Sequence, residues 1–277
     1  MLKRIITGIV ALIIFIPVLF FSHTVIFDIT IAALSLLGTL EFLKCVKIAD
    51  KYLLCIPSCT VAFLVPLLYR NVIKEIIIII VIVYLFCLLY ASVFVRKYIS
   101  TNDVALSFFS AVYVTVSFTS ILIVRALEYG EIIYLMIFIG AWSTDTFAYF
   151  TGRLLGKHKL MPDISPNKTI EGTLGGVVFC SLSFVLFGFI ISVLNRFDAE
   201  PYYILLAAAG VFTSIVAQLG DLSASAVKRN YGADDFGAVF PGHGGILDRF
   251  DSVMAVAPII MIIGALFTSF EEYGLFI

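Results

Sequence analysis

The chain has 277 residues, of which 61% are hydrophobic and 13% charged, and its formal net charge is −1. Soluble domains are about half apolar and about one-quarter charged, so the composition, with a mean hydropathy of +1.10, excludes a water-soluble fold of this size. A charge this close to zero also excludes recruitment of nucleic acid through a global basic field, and leaves any anionic ligand to local clusters of cations.

Met1 to Arg4, followed by the apolar run Ile5–Phe21, imitates a secretory leader. The run is long for one, and Phe21-Ser22-His23-Thr24 is too bulky for a cleavage site, so we read a retained first span. A membrane-crossing helix needs roughly 20 mainly apolar residues, because each adds about 1.5 Å across a core about 30 Å thick. Nine stretches qualify: 5–22, 25–43, 52–69, 76–95, 104–124, 132–151, 173–194, 202–220 and 252–270. The expected fold is an all-α polytopic integral membrane protein of about nine spans with a cytoplasmic N-terminus. The basic residues support that orientation: alternation leaves only Arg70, Lys74, Arg125 and Arg196 outside, 4 of the 18 Lys and Arg, with 14 inside. The cysteines (Cys45, Cys55, Cys59, Cys87 and Cys180) form no CxxC pair, and we expect buried apolar thiols.

Residues 1–130 read as a scaffold of about five spans, and 131–277 as a catalytic region with long cytoplasmic loops at 152–172 and 221–251. No internal repeat is evident, which argues against an inverted-repeat transporter. The second loop reads Gln218-Leu-Gly-Asp221-Leu-Ser-Ala-Ser225-Ala-Val-Lys228-Arg229, then Phe240-Pro241-Gly242-His243-Gly244-Gly245-Ile-Leu-Asp248-Arg249-Phe-Asp251. If the helix runs on from the eighth span, Asp221, Ser225 and Lys228 fall on one face; Asp248 and Asp251 likewise share a face. Such a set favours phosphoryl or nucleotidyl transfer. Mg²⁺ binds through one or two carboxylates plus phosphate oxygens, and the reaction asks mainly for positioning and charge neutralisation. Asp221, Asp248 and Asp251 are the candidate metal ligands; Lys228, Arg229 and Arg249 are candidate phosphate clamps. Gly242, Gly244 and Gly245 let the backbone approach phosphate, helped by the following helix N-terminus, and His243 can donate a hydrogen bond there.

In the first loop, Ser165-Pro-Asn167-Lys168-Thr169-Ile-Glu171-Gly172 supplies hydroxyls, a cation and backbone donors, while Thr169 or Ser165 can instead cap the seventh span. Upstream, Asp145 lies inside an apolar run, where a charge costs on the order of 2.5–3.5 kcal/mol. It belongs either to a polar active-site cavity or to a structural hydrogen bond with Ser143 or a neighbouring helix.

From Asp145 to Asp251 the sequence resembles the bacterial phosphatidate cytidylyltransferase family (CDP-diacylglycerol synthases). The pattern is Ser-x-x-Lys-Arg, a basic-acidic pair and Pro-Gly-His-Gly-Gly-x-x-Asp-Arg-x-Asp. It is met by Ser225, Lys228, Arg229, Pro241 to Gly245, Asp248, Arg249 and Asp251. Asp234-Asp235 stands where the family has Lys-Asp, and Asn167 where a second Lys is common. The resemblance implies CTP and phosphatidate as substrates, Mg²⁺, a monovalent cation such as K⁺ beside it, and a homodimer. It implies a catalytic set of Asp221, Asp248, Lys228, Arg229 and His243. Substrate binding falls to Asp145, Ser165, Lys168, Thr169, Glu171, Ser225, Gly242, Gly244, Gly245 and Arg249. A CTP-dependent polyprenol- or phytol-type kinase is the nearest rival, and a membrane transporter a more distant one.

Overall fold

Lipid offers no partner for a backbone N–H or C=O, so an apolar run must satisfy its own hydrogen bonds, and the helix does so within one segment. The sequence Lys74-Glu-Ile-Ile-Ile-Ile-Ile-Val-Ile-Val shows the force of this rule. Its β-branched residues favour strands in water, yet the segment is helical.

A computed structural model of the chain describes residues 15–70, 73–194, 196, 199–239 and 244–272. Residues 15–20 are helical, and the remainder of the first expected span lies outside the described residues. There follow α1 (Val25–Cys45), α2 (Tyr52–Leu68), α3 (Lys74–Phe94), α4 (Thr101–Ala126) and α5 (Gly130–Leu155). A short hairpin of β1 (Lys159–Met161) and β2 (Ser165–Thr169) leads to α6 (Ile170–Val193), α7 (Tyr203–Asn230) and α8 (Leu247–Glu272). Among the described residues 7 helices are long and apolar enough to cross a membrane, and α2, with 17 residues, is a shorter apolar helix. The chain is a polytopic membrane protein, as its composition requires. It is not wholly helical: two short strands within residues 159–169 pair antiparallel, Lys159 with Thr169 and Met161 with Ser165. Water can satisfy the outer edges of two such strands, as hydrocarbon could not.

The helices form two units, residues up to Ile123 with Asn230–Phe250, and Val124–Arg229 with Asp251 onward. In the first, Phe27, Ile31, Leu43, Leu54, Phe118 and Leu122 make a core closed to solvent. The buried Tyr84 hydroxyl bonds Ser58 Oγ at 2.9 Å and donates to the Ser107 carbonyl at 3.0 Å, linking α3 to α2 and α4. Arg70 pairs with buried Asp28 at 3.0 Å and donates to the Ser22 carbonyl at 2.7 Å. Among the described residues no disulfide joins the five cysteines; Cys87 is exposed on an apolar helix, unlike the buried Cys45, Cys55 and Cys180.

In the second unit α5 and α6 pack side by side through small residues, the usual route to close helix contact in lipid. A Cβ on Gly172 would meet the Ala148 carbonyl oxygen at 2.7 Å, and one on Gly175 would overlap Thr151. Gly172→Val should therefore lower stability by about 1–3 kcal/mol, the usual cost of overpacking. Thermal unfolding in detergent checks this; an unchanged midpoint would show that the pair yields freely.

Candidate active site

Two groups of polar side chains stand out, one in each unit. In the second unit α7 continues to Asn230, so Asp221, Ser225 and Lys228 lie along one face of a continuous helix. Ser225 Oγ donates to Asp221 Oδ1 at 3.4 Å, one turn away. The other oxygen, Oδ2, pairs with Lys168 Nζ at 2.6 Å. Lys168, which lies near the end of the hairpin's second strand, also donates to the Gln218 carbonyl at 3.4 Å. Gln218 is itself fixed, its amide donating to Ser214 Oγ at 3.2 Å and to the Thr173 carbonyl at 3.3 Å.

Helices α7 and α8 touch at the level of these acids. A Cβ on Gly220 would overlap Ala255 and come within 3.3 Å of the Asp251 carbonyl oxygen. Asp251 is therefore close enough to Asp221 and Asp145 for the like charges to repel, with Lys228 nearby as partial compensation. Asp145 also feels Asp221 and the Lys168 cation. It keeps an exposed surface although it sits within a span. Its Oδ1 accepts from Ser252 Oγ on α8 at 3.2 Å, while Ser143 bonds instead to its own helix at the Gly140 carbonyl. Three carboxylates thus face two lysines. The surplus of negative charge, carried on hard oxygen donors, fits a divalent cation of the Mg²⁺ type. Among the described residues no three acidic, His or Cys side chains close a metal cage, so such an ion would draw further ligands from substrate phosphates.

In the first unit Asp248 opens α8 and reaches back to the preceding turn. Its Oδ2 accepts from the Gly245 N–H at 2.9 Å and from the Phe236 N–H at 2.8 Å. The first of these bonds has the reach of a capping box. Gly244 has φ +82°, and a Cβ there would press on the Asp248 carboxylate. Glu41 of α1 accepts from the Ile246 and Leu247 N–H groups, each at 3.0 Å. The Gly245 N–H, read from the sequence as one that can approach phosphate, thus donates to Asp248, and the Ile246 and Leu247 N–H groups donate to Glu41. The phosphate-facing part of the motif expected at Pro241, Gly242 and His243 lies outside the described residues.

Other candidates have local structural duties. Thr169 caps α6, its hydroxyl accepting from the Gly172 N–H at 3.1 Å. Glu171 holds the approach to the hairpin, bonding the Lys157 N–H at 3.1 Å and His158 Nδ1 at 2.7 Å. Ser165 is half-buried in β2; Arg229 and Arg249 are exposed, as are Asp234 and Asp235. Sequence reasoning passed over Glu41, though the signal that marked Asp145, an acid inside an apolar run, applies equally to Glu41 and Asp28. A cavity of about 140 Å³ in the second unit, bordered by Met136, Leu206, Ala209 and Ile260, is lined by aliphatic and aromatic side chains and offers no charged group for phosphate chemistry.

A polytopic helical chain whose polar residues are acids, lysines and a glycine-rich turn at helix ends has the make-up of a membrane-embedded enzyme acting on phosphate esters. Residues 2–267 match the model of the cytidylyltransferase family, and the chain belongs to that family. It is 36% identical to the phosphatidate cytidylyltransferase of Staphylococcus haemolyticus over 266 residues, covering 94% of this chain and 97% of that one. It is 35% identical to the Staphylococcus saprophyticus protein of the same name, with the same coverage. The Bacillus subtilis phosphatidate cytidylyltransferase is 40% identical over 182 residues, 65% of each chain.

Proposed function

We propose that the chain joins CTP and phosphatidate to give CDP-diacylglycerol and pyrophosphate, working in the cytoplasmic membrane with its site towards the cytoplasm. The family match over residues 2–267 carries this reading, and the cluster of Asp145, Asp221, Asp251, Lys168 and Lys228 suits it chemically. A phosphatidate oxygen attacks the α-phosphorus of CTP; the new P–O bond forms as the bond to the β-phosphate bridge breaks, and its electrons leave with pyrophosphate. Phosphatidate is already an anion near neutral pH, so no side chain need remove a proton, and His243 serves as a hydrogen-bond donor rather than a base. Asp221 and Asp248, supported by Asp251, are the proposed metal ligands. Mg²⁺ bound there, with a monovalent cation alongside, would neutralise charge on the phosphoryl oxygens. Lys228 and Arg229 clamp phosphate, and Arg249, Ser225 and Lys168 orient it. The acyl chains stay in the bilayer throughout, which accounts for an embedded catalyst. The working form is a homodimer.

The test uses CTP labelled on its α-phosphate, phosphatidate and Mg²⁺ with the purified protein. Label should enter the lipid phase as CDP-diacylglycerol while pyrophosphate is released one for one. Label found in CDP when a lipid alcohol is supplied in parallel, with that alcohol phosphorylated instead, would replace this reading by the lipid-kinase one.

A further inference from the structure

We propose that Glu41 is a positioning residue for the reaction, fixing the Gly244–Leu247 turn so that Asp248 is presented in a single pose; this rests on Asp248 being a metal ligand. Glu41 lies 205 residues from its partner in sequence, inside an apolar helix, and is only 4% exposed. A carboxylate buried in a span is costly unless its oxygens are satisfied. Here one oxygen takes the Ile246 N–H and the other the Leu247 N–H. These belong to the group of donors that a helix start leaves without intrahelical acceptors, where negative charge is favoured.

A simple cap would not need this arrangement. Helix starts are usually capped by a Ser, Thr, Asp or Asn within the turn itself. This turn reads Gly244-Gly245-Ile246 and has no such side chain. The bare backbone lets the remote carboxylate in: a Cβ on Gly245, or on Gly237, would overlap the Glu41 carboxyl group. Lys44, one turn along α1, partly offsets the charge, and Asp248 is near enough to feel it. Phe42, beside Glu41 in sequence, stacks on Phe236 with ring centroids 5.6 Å apart. The Phe236 N–H is one of the two that Asp248 accepts. Adjacent residues of α1 therefore hold both sides of the Asp248 carboxylate's own support, one by charge and one by ring contact. Groups that orient metal ligands in this manner typically cost 10–100-fold in metal affinity or activity when altered.

The experiment compares Glu41→Gln with Asp248→Asn and with Asp103→Asn, reading kcat per folded enzyme, phosphatidate KM, the Mg²⁺ concentration for half-maximal rate and the thermal midpoint. Asp103 is a matched control, since its carboxylate holds the start of α4 by accepting the Ser100 N–H at 2.7 Å. In Glu41→Gln the amide keeps one acceptor but turns an NH₂ towards the second N–H. Its kcat should fall about 10–100-fold with a raised Mg²⁺ requirement and an unchanged phosphatidate KM. Asp103→Asn should lose thermal stability alone. A Glu41→Gln enzyme with wild-type kcat and Mg²⁺ dependence, beside an inactive Asp248→Asn, overturns the role of Glu41 alone. An active Asp248→Asn overturns the metal-ligand assignment and this proposal with it. If Glu41→Gln does not fold, Glu41→Asp, which keeps the charge but withdraws it by one methylene, is judged by the same criteria.

Discussion

Asp221→Asn should lower turnover at least ~10²-fold, the scale of loss when a principal charge stabiliser is removed from a transition state. The change is isosteric, and its effect on folding should be small. The Lys168–Asp221 pair is about one-quarter exposed on each side, 22% and 27%, and ion pairs this accessible contribute about 0–1 kcal/mol. The amide oxygen of the replacement can still accept from Ser225, so the helix face survives. What disappears is one negative charge among three carboxylates balanced by two lysines. An ion bound by that surplus would be held less tightly, and raised Mg²⁺ should recover part of the rate. Initial rates of CDP-diacylglycerol formation across a Mg²⁺ titration, normalised to folded protein, provide the check. Near-normal turnover at low Mg²⁺ would remove Asp221 from the metal site.

The spans were legible because lipid leaves an apolar run no choice but to be helical; even the β-branched residues of α3 obey. Their ends were not. The eighth span was expected to stop at 220, whereas α7 runs to Asn230 and α8 already begins at Leu247, so both ends of the loop expected at 221–251 are helical. Hydropathy marks the part of a helix that lies in hydrocarbon, and a polar, amphipathic extension carries no such mark. The local readings fared differently from the remote ones. The alternative of Thr169 as a cap could be read from a spacing of three residues, and Asp221 and Ser225 from a spacing of four. Glu41 acts on backbone donors more than 200 residues downstream, a pairing without local periodicity. Its only sequence signal was the expense of placing an acid within a span. Gly242, Gly244 and Gly245 suggested backbone open to an anion; at Gly245 that space also admits the Glu41 carboxyl group, because glycine admits any close-fitting oxygen and does not specify its source.

Asp248 needs a sharper test than Asp221, because its geometry supports a structural role as fully as a catalytic one. Its Oδ2 accepts the Gly245 N–H just before α8 and the Phe236 N–H of the preceding loop. A cap of this kind depends on an acceptor oxygen rather than a full charge: Asn and Asp serve almost equally well at helix starts, while Ala costs about 0.5–2 kcal/mol. A metal ligand depends on the charge. The two substitutions therefore separate the roles. Asp248→Asn should keep a thermal midpoint near wild type, with its amide oxygen bonded to Gly245 and Phe236, and still lose at least ~10²-fold in turnover. Asp248→Ala should lose both turnover and stability. If Asp248→Asn instead retains stability and turnover while Asp248→Ala loses both, the carboxylate is a cap and no more. The divalent ion would then have to be held by Asp221 with Asp145 or Asp251 in the second unit, whose mutual repulsion already favours a cation between them.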